Sequence, residues 1–180
     1  MACILKKNNY DYTVFTVSQR LSADSAYYAE KAASAGVSIR PFEPGCLAGY
    51  NIVVDCLLGT GFQGQLRENY RAAIEAINAS NAYVVSVDIN SGMNGDTGNA
   101  ELAVHSDLTV TIGYVKRGLI FENAGNYMKR LVCADIGIVL VKKEWKICGD
   151  GEVLEEGCFR CPAWLDMNPI QTVESGEGRV

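Results

Sequence analysis

Apolar and polar positions alternate in blocks along the chain, and these blocks predict strands and helices in alternation. Short runs rich in β-branched and aromatic residues predict strands, whereas apolar residues every three to four positions predict amphipathic helices. The predicted strands are YTVFTV, VSIRPF, YNIVVDCLL, YVVSVDI, DLTVTI and RLVCADIGIV. The predicted helices are LSADSAYYAEKAASAG, which ends at Gly36, and LRENYRAAIEAINAS, while MACILKKNN has the pattern of the end of a helix.

Strands that alternate with helices predict an α/β fold with a doubly wound, mostly parallel sheet. The run YNIVVDCLL is continuously apolar, which is typical of a strand covered on both faces, so we expect helices on both faces in three layers. The periodicity fades after Val141. We therefore predict one domain over residues 1–141 and a partly disordered C-terminal extension over residues 142–180.

Composition narrows the class of protein. The chain has 180 residues, 48% of them hydrophobic, and a net charge of −5, which suits one domain with a sizeable core. No basic face is evident, so nucleic acid is not an expected partner. No apolar run approaches the roughly 20 residues of a membrane span, and the N-terminus lacks the layout of a signal peptide. We expect a cytoplasmic protein.

The seven cysteines are scattered, and several fall in strand-like runs, which is typical of small apolar core residues. Cys158 and Cys161 form the single C-x-x-C pair. A zinc site would need a second ligand pair, and His105, the one histidine, is far away in sequence. We interpret the cysteines as structural and His105 as a surface or satisfied loop residue.

Ligands of open α/β sheets bind outside the carboxyl ends of the strands. Four predicted strand ends carry unusual residues: Asp55-Cys-Leu-Leu-Gly59, Asp88-Ile-Asn-Ser91, Gly113-Tyr-Val-Lys116 and Asp135-Ile-Gly137. The first continues as G-x-G-x-x-G, the spacing of a dinucleotide-binding turn, so a nicotinamide oxidoreductase is one hypothesis. However, the helical pattern begins only around Leu66 to Asn69, and the Asp55 carboxylate would repel phosphates. A glycine-rich turn without a ligand is the alternative.

The second strand end, SVDINSGMNGDTG, holds too many small polar residues for all of them to be turn formers. A tight turn would bring Asp88 and Ser91 to one side, and Asp55 could add a further oxygen. Oxygen ligands suit a hard cation such as potassium or magnesium, although each residue could instead cap its own turn. Lys116 either reaches the cleft as a fixed positive charge or is a solvated loop lysine.

VVDCLLGTGFQGQL, VSVDINSGMNGDTG, SDLTVTIGYVKRGL and CADIGI together resemble the successive blocks of the YjeF N-terminal domain family, the NAD(P)H-hydrate epimerases. In that family the blocks commonly read like DALFGTG, DIPSGLDADTG, AD-TVTF-K-G and DIGIP. The resemblance runs from about Tyr10 to Val139. Two departures are Asn90, where the family has a proline, and Asn94, which replaces an aspartate.

The resemblance implies a Rossmann-like fold and repair of hydrated nicotinamide cofactors. The family interconverts the R and S hydrates of NADH and NADPH, called NADHX and NADPHX, so that an ADP- or ATP-dependent dehydratase can restore the cofactor. It implies a bound potassium ion with Asp55 and Ser91 as ligands, and Asp88 as the substrate-contacting carboxylate. Because one carboxylate can serve first as acid and then as base when a hemiaminal loses and regains its hydroxyl, we expect Asp88 and Lys116 to be the catalytic residues, with Lys116 either tuning the charge of Asp88 or holding the substrate. The implied substrate-binding loop comprises Gly59, Thr60, Gly61, Phe62, Gln63, Gly64 and Gln65.

Family members usually begin with helices, a strand and a loop like GNGNNGGDG, which contacts substrate phosphates and supplies a potassium ligand. The resemblance places the start of this chain inside the helix after that loop, so we expect it to lack those helices and the first strand. Exposed sheet edges then favour a homodimer. A non-catalytic binding or dimerisation module of the same family is the alternative function, whereas retention of Asp55, Asp88, Ser91 and Lys116 favours the epimerase.

Overall fold

The computed structural model describes residues 1–137 and the backbone of three short strands beyond them. The helices are α1, Ala2–Lys7; α2, Ala23–Ser34; and α3, Glu68–Asn78. The strands are β1, Val14–Thr16; β2, Ile39–Pro41; β3, Ile52–Asp55; β4, Tyr83–Val87; β5, Leu108–Ile112; β6, Leu131–Ala134; β7, Ile147–Cys148; β8, Phe159–Arg160; and β9, Leu165–Asp166. Two 3₁₀ turns span Arg117–Ile120 and Glu122–Asn126. No described helix is long and apolar enough to cross a membrane.

The main sheet is parallel throughout and has the order β3-β4-β5-β6-β9. Strands β1 and β2 form a separate parallel pair, as do β7 and β8. The prediction of an α/β fold with a mostly parallel sheet is confirmed. Because the strands run the same way, the carboxyl ends of β3, β4 and β5 lie at one edge of the sheet, where the polar segments of the sequence follow them.

Helix boundaries follow local capping chemistry. Helix α2 begins after Ser22, whose side-chain oxygen accepts the Ser25 N–H at 3.2 Å, and the chain turns away at Gly36 with φ of 75°. Helix α3 buries Ile74 and Ile77 on one face. These residues pack in one hydrophobic cluster with Val53, Val84 and Val104, and a second cluster forms around Ile89, Met93, Leu119 and Leu131.

The expectation that β3 is covered on both faces is wrong within the described part of the chain. Val53 and Asp55 are buried, but Ile52 is 60% exposed and Val54 is 40% exposed. Tyr83, the register partner of Ile52, is 48% exposed on the same face. Helix α3 packs on the Val53 face, and an apolar run gives no information on which neighbours cover its second face.

An apolar groove separates β1 from β3. It has a volume of about 440 Å³ and is lined from one side by Val14 and Phe15 and from the other by Ile52 and Val54. Within residues 1–137, the Tyr12 hydroxyl at this groove is the one buried side-chain polar atom without a hydrogen-bond partner. The N-terminal pair of strands is therefore packed less completely than the main sheet.

Candidate active site

The Asp55 carboxylate is the centre of a buried polar cluster at the end of β3. Asp55 is 1% exposed, and both of its oxygens accept two hydrogen bonds. Oδ1 accepts from the Leu57 N–H at 3.2 Å and from the Ser91 hydroxyl. Oδ2 accepts from the Ser86 hydroxyl at 2.8 Å and from the Ser91 N–H at 2.9 Å. The prediction that Asp55 and Ser91 lie together therefore agrees with this geometry.

Burial raises the pKa of Asp55, and the hydrogen bonds from Ser91, Leu57 and Ser86 oppose that rise. None of the ion pairs among the described residues involves Asp55. Hydrogen-bond donors therefore surround the carboxylate, and no positively charged side chain of residues 1–137 forms an ion pair with it.

The glycine-rich loop after β3 is not arranged as a pyrophosphate cradle. The amides that open it are already occupied, because the Leu57 N–H donates to Asp55 and the Leu58 N–H donates to the Ser91 hydroxyl at 2.9 Å. Helix α3 starts only at Glu68, which confirms the longer loop. Gly64 has φ of 90° and needs glycine, whereas Gly59 and Gly61 leave open space where a Cβ would be.

Asp88 and Lys116 form an ion pair at the ends of β4 and β5. The Lys116 ammonium also donates to the Thr111 hydroxyl at 3.2 Å and to the Ile112 carbonyl at 2.9 Å, so all three of its hydrogens are engaged. Every described hydrogen bond to the Asp88 carboxylate, including one of 3.0 Å from the Ile112 N–H, falls on Oδ1. Among the described residues, no hydrogen bond to Oδ2 is found.

Asp88 has φ of 73°, a left-handed conformation that is uncommon outside glycine. Strained backbone of this kind persists where the surroundings fix it, and it clusters at functional sites. The Asp88 N–H donates to the Val110 carbonyl at 2.7 Å, and its carboxylate is fixed by Lys116, so the conformation is held from both ends. The side chains of Asp88 and Lys116 are 28% and 22% exposed, which leaves the pair accessible.

The turn from Asp88 to Ser91 contributes one side chain to each of two adjacent groups of residues. Asp88 is paired with Lys116, whereas Ser91 is bonded to Asp55. The sequence suggested one oxygen site for all three acidic and hydroxyl side chains, and the hydrogen bonds instead divide them into a charged pair and a buried cluster. Asp135, at the end of β6, bonds its own turn through the Gly137 N–H at 2.8 Å.

Close backbone contacts hold three loops together around this turn. The Gly118 N–H donates to the Gly95 carbonyl at 2.7 Å, and a Cβ on Gly118 would lie 2.5 Å from the Asn94 carbonyl oxygen. A Cβ on Gly95 would lie 3.5 Å from the backbone of Thr60. The substrate-loop candidate therefore contacts the turn loop, which in turn packs on the 3₁₀ turn after Lys116.

Four buried polar residues of the site were not predicted: Ser86, Asn90, Thr109 and Thr111. A signal for two of them exists in the sequence, because Thr109 and Thr111 alternate with apolar residues in LTVTI and so share one face of β5. His105 is exposed and lies edge-on to Tyr127, in line with a loop position. Residues Cys158 and Cys161 and the boundary at Val141 lie outside the residues described in detail.

The fold and the site define a Rossmann-like α/β protein with its polar groups at the carboxyl ends of parallel strands. The chain belongs to the family described as YjeF-related protein N-terminus, whose family model matches residues 1–118. The resemblance inferred from the sequence blocks is thereby confirmed.

Named relatives are enzymes of NAD(P)H-hydrate repair. The chain is 38% identical over 128 residues to an NAD(P)H-hydrate epimerase of Rhodopirellula baltica, covering 68% of this chain and 52% of that protein. It is 33% identical over 141 residues to the bifunctional NAD(P)H-hydrate repair enzyme Nnr of Coxiella burnetii, covering 77% of this chain and 29% of that protein. The chain therefore spans about half, or less, of the length of these curated relatives.

A solved structure with the same fold is that of the yeast protein ynu0. The TM-score is 0.60 at 19% sequence identity, and the match covers 77% of this chain and 60% of the yeast chain. At that identity the likeness concerns the fold alone.

Proposed function

We propose that this chain carries the site of an NAD(P)H-hydrate epimerase, which interconverts the R and S hydrates of NADH and NADPH. The observation that supports this proposal most strongly is the Asp88 carboxylate, which Lys116 and the Ile112 N–H hold through Oδ1 while Oδ2 has no described partner. One fixed carboxylate with one free oxygen suits a reaction that needs a proton to be given and taken at the same place.

The substrate is a hemiaminal, with a hydroxyl on the ring carbon next to the nitrogen. A proton passes from Asp88 to that hydroxyl, which leaves as water while the nitrogen lone pair forms a planar iminium. Water then adds to either face of the ring carbon and returns its proton to Asp88, so the carboxyl group is restored. Addition to the face opposite the departed hydroxyl gives the other epimer.

Lys116 positions the carboxylate and does not itself supply the proton. Its three hydrogens are directed to Asp88, Thr111 and Ile112, which leaves none for the substrate. The lysine fixes the rotamer that presents Oδ2. The segment from Gly59 to Gln65 forms the adjacent wall for the nicotinamide nucleotide, and a dehydratase that consumes the S hydrate is the functional partner.

A potassium ion is a further part of the proposal. Asp55 and Ser91 would hold it, because a carboxylate and a hydroxyl that touch one another are oxygen ligands of the kind that hard cations prefer. Asp55 is also buried and lies in no ion pair among residues 1–137, which supports the same assignment. When bound, the ion would supply a positive charge that orders the loops around Asp55 and Ser91.

The test is an assay of the full chain with the R hydrate of NADH and a dehydratase specific for the S hydrate. The wild-type chain is expected to convert R hydrate to NADH faster than the spontaneous rate, and Asp88→Asn is expected to lower that rate by about 10²-fold to 10⁴-fold. Asparagine tolerates the left-handed backbone at this position, so the variant should fold. Asp96→Asn, on the exposed part of the same loop, is the matched control and should keep full activity. An Asp88→Asn chain as active as the wild type would refute the mechanism.

A further inference from the structure

Asn90 lies inside the Asp88–Ser91 turn and is fully buried, with 0% exposure. The two N–H bonds of its side-chain amide are shared among three acceptors: the Val104 carbonyl at 2.9 Å, the Ser106 hydroxyl at 3.0 Å and the Tyr127 carbonyl at 2.9 Å. Its Oδ1 accepts from the Thr109 hydroxyl at 2.6 Å. The side chain therefore binds four residues in two segments of the chain, residues 104–109 and Tyr127.

The partners of Asn90 are themselves connected. The hydroxyls of Ser106 and Thr109 lie 2.8 Å apart, and the Ser106 N–H donates to the Tyr127 carbonyl at 2.9 Å. Ser106 is 3% exposed and Thr109 is 0% exposed, so water does not replace these bonds. A buried network with every member satisfied has a single geometry, and each loss leaves unpaired polar atoms behind.

Because Asn90 lies in the turn that carries Asp88 and Ser91, its hydrogen-bond network also restrains the site. Two positions before Asn90 is Asp88, which is paired with Lys116, and directly after it is Ser91, which is bonded to Asp55. Both side chains project from the same short segment, and Asn90 ties that segment to β5 through its hydrogen bond with Thr109. A shift of Asn90 would move Asp88 and Ser91 together.

We propose that Asn90 is a positioning residue that fixes the Asp88–Ser91 turn, and with it both the acid–base carboxylate and the Asp55–Ser91 cluster. The inference rests on the proposed epimerase function for its kinetic consequence, while its structural consequence is independent of that function. Asn90 does not contact the substrate in this account. Asn90 stands where the family commonly has a proline. A proline would restrict the backbone directly, whereas the side chain of Asn90 restrains the turn through its hydrogen bonds.

The test compares Asn90→Ala with Asn78→Ala. Asn78 also bridges the segment before β5, by donating to the Ala103 carbonyl at 2.9 Å and accepting the His105 N–H at 2.8 Å, but it does not contact the site turn. Two-dimensional ¹H–¹⁵N spectra of the full chain report the backbone of Asp88 and Ser91. Those two amide signals are expected to move in Asn90→Ala and to stay in place in Asn78→Ala.

Kinetics and ion response provide the second readout. In the coupled epimerase assay, kcat of Asn90→Ala should fall roughly a hundredfold, as expected when a reacting group is displaced by about 1 Å, with a much smaller change in KM. The rise in Tm that potassium causes relative to sodium should shrink in Asn90→Ala and persist in Asn78→Ala. Unchanged Asp88 and Ser91 signals together with unchanged kcat would overturn the proposal.

The two remaining outcomes are a failure of Asn90→Ala to fold and an absence of epimerase activity in the wild-type chain. If Asn90→Ala does not fold, Thr109→Val removes the hydroxyl that donates to Asn90 while keeping the side-chain volume, and it should produce smaller changes of the same kind. If the wild-type chain shows no epimerase activity, the proposed function fails, and the amide signals of Asp88 and Ser91 alone decide the role of Asn90.

Discussion

Residues 1–50 and residues 84–132 are stabilised in contrasting ways. In the first region Ala32 and Val37 are the buried hydrophobic residues, α1 buries none, and among the described strands β1 and β2 pair only with one another. The second region holds both the Asn90 network and much of the core, including Ile89, Met93 and Leu119. The site loops therefore owe their fixed geometry to dense local packing, whereas the N-terminal region is less protected against local unfolding.

The largest of these three effects is expected at Gly118, where a Cβ would meet two backbone oxygens of the second region. A Cβ there would lie 2.5 Å from the Asn94 oxygen and 2.7 Å from the Gly95 oxygen, so the backbone must move. We expect Gly118→Ala to lower the free energy of unfolding by about 1–3 kcal/mol. Urea denaturation measures the change. Gly61→Ala is the control with open space, and equal stability losses in both variants would contradict the packing described for this region.

The next effect concerns the pH dependence of stability through Asp55. Its pKa is raised in the folded state, so above about pH 4 the folded chain retains a proton that the unfolded chain has lost. Stability from this group is therefore present at low pH and falls as pH rises towards the folded pKa, by at most about 1.4 kcal/mol per pH unit.

Asp55→Asn removes that titration, so the urea midpoint of the variant should fall less steeply with pH than that of the wild type. The measurement is a series of urea titrations at constant ionic strength from about pH 4 upwards, in sodium buffers. The difference between the two slopes is the readout, because the substituted amide also disturbs the hydrogen bonds of the cluster. Parallel slopes for wild type and variant would contradict a raised pKa of Asp55 in the folded state.

The smallest effect is expected in the N-terminal region. The Tyr50 hydroxyl donates to the Thr13 hydroxyl at 2.7 Å across a partly buried contact. Tyr50→Phe should reduce the free energy of unfolding by about 0.5–1.5 kcal/mol. Tyr27→Phe, on the exposed surface of α2, should leave the stability unchanged. A loss at Tyr50 larger than that at Gly118 would reverse the comparison between the two regions.

The sequence predicts the elements and their order well, because the strands are runs of β-branched residues and the helices have clear periodicity and caps. It also predicts a common edge of the sheet for Asp55, Asp88, Ser91 and Lys116, because the carboxyl ends of parallel strands lie at the same edge. It does not predict which of these residues pair, because that choice depends on backbone directions such as the left-handed conformation of Asp88.

Two further features could not be predicted, for physical reasons. Asn90 has the composition of an ordinary turn residue, and its partners Val104, Ser106, Thr109 and Tyr127 are distant in sequence, so its burial emerges only from the fold. The exposed face of β3 is the second feature, because the hydrophobicity of Ile52 and Val54 shows that they prefer burial without showing what covers them.

The proposed mechanism requires that Asp88 protonates the hydroxyl that leaves the substrate as water, and that a water molecule from the solvent replaces it. The most direct test is epimerisation of the R hydrate of NADH by the full chain in water labelled with ¹⁸O. We expect ¹⁸O to enter the hydrate at least as fast as the S form appears, and Asp88→Asn to slow both changes by the same factor. Formation of the S hydrate with the original oxygen retained would contradict the account.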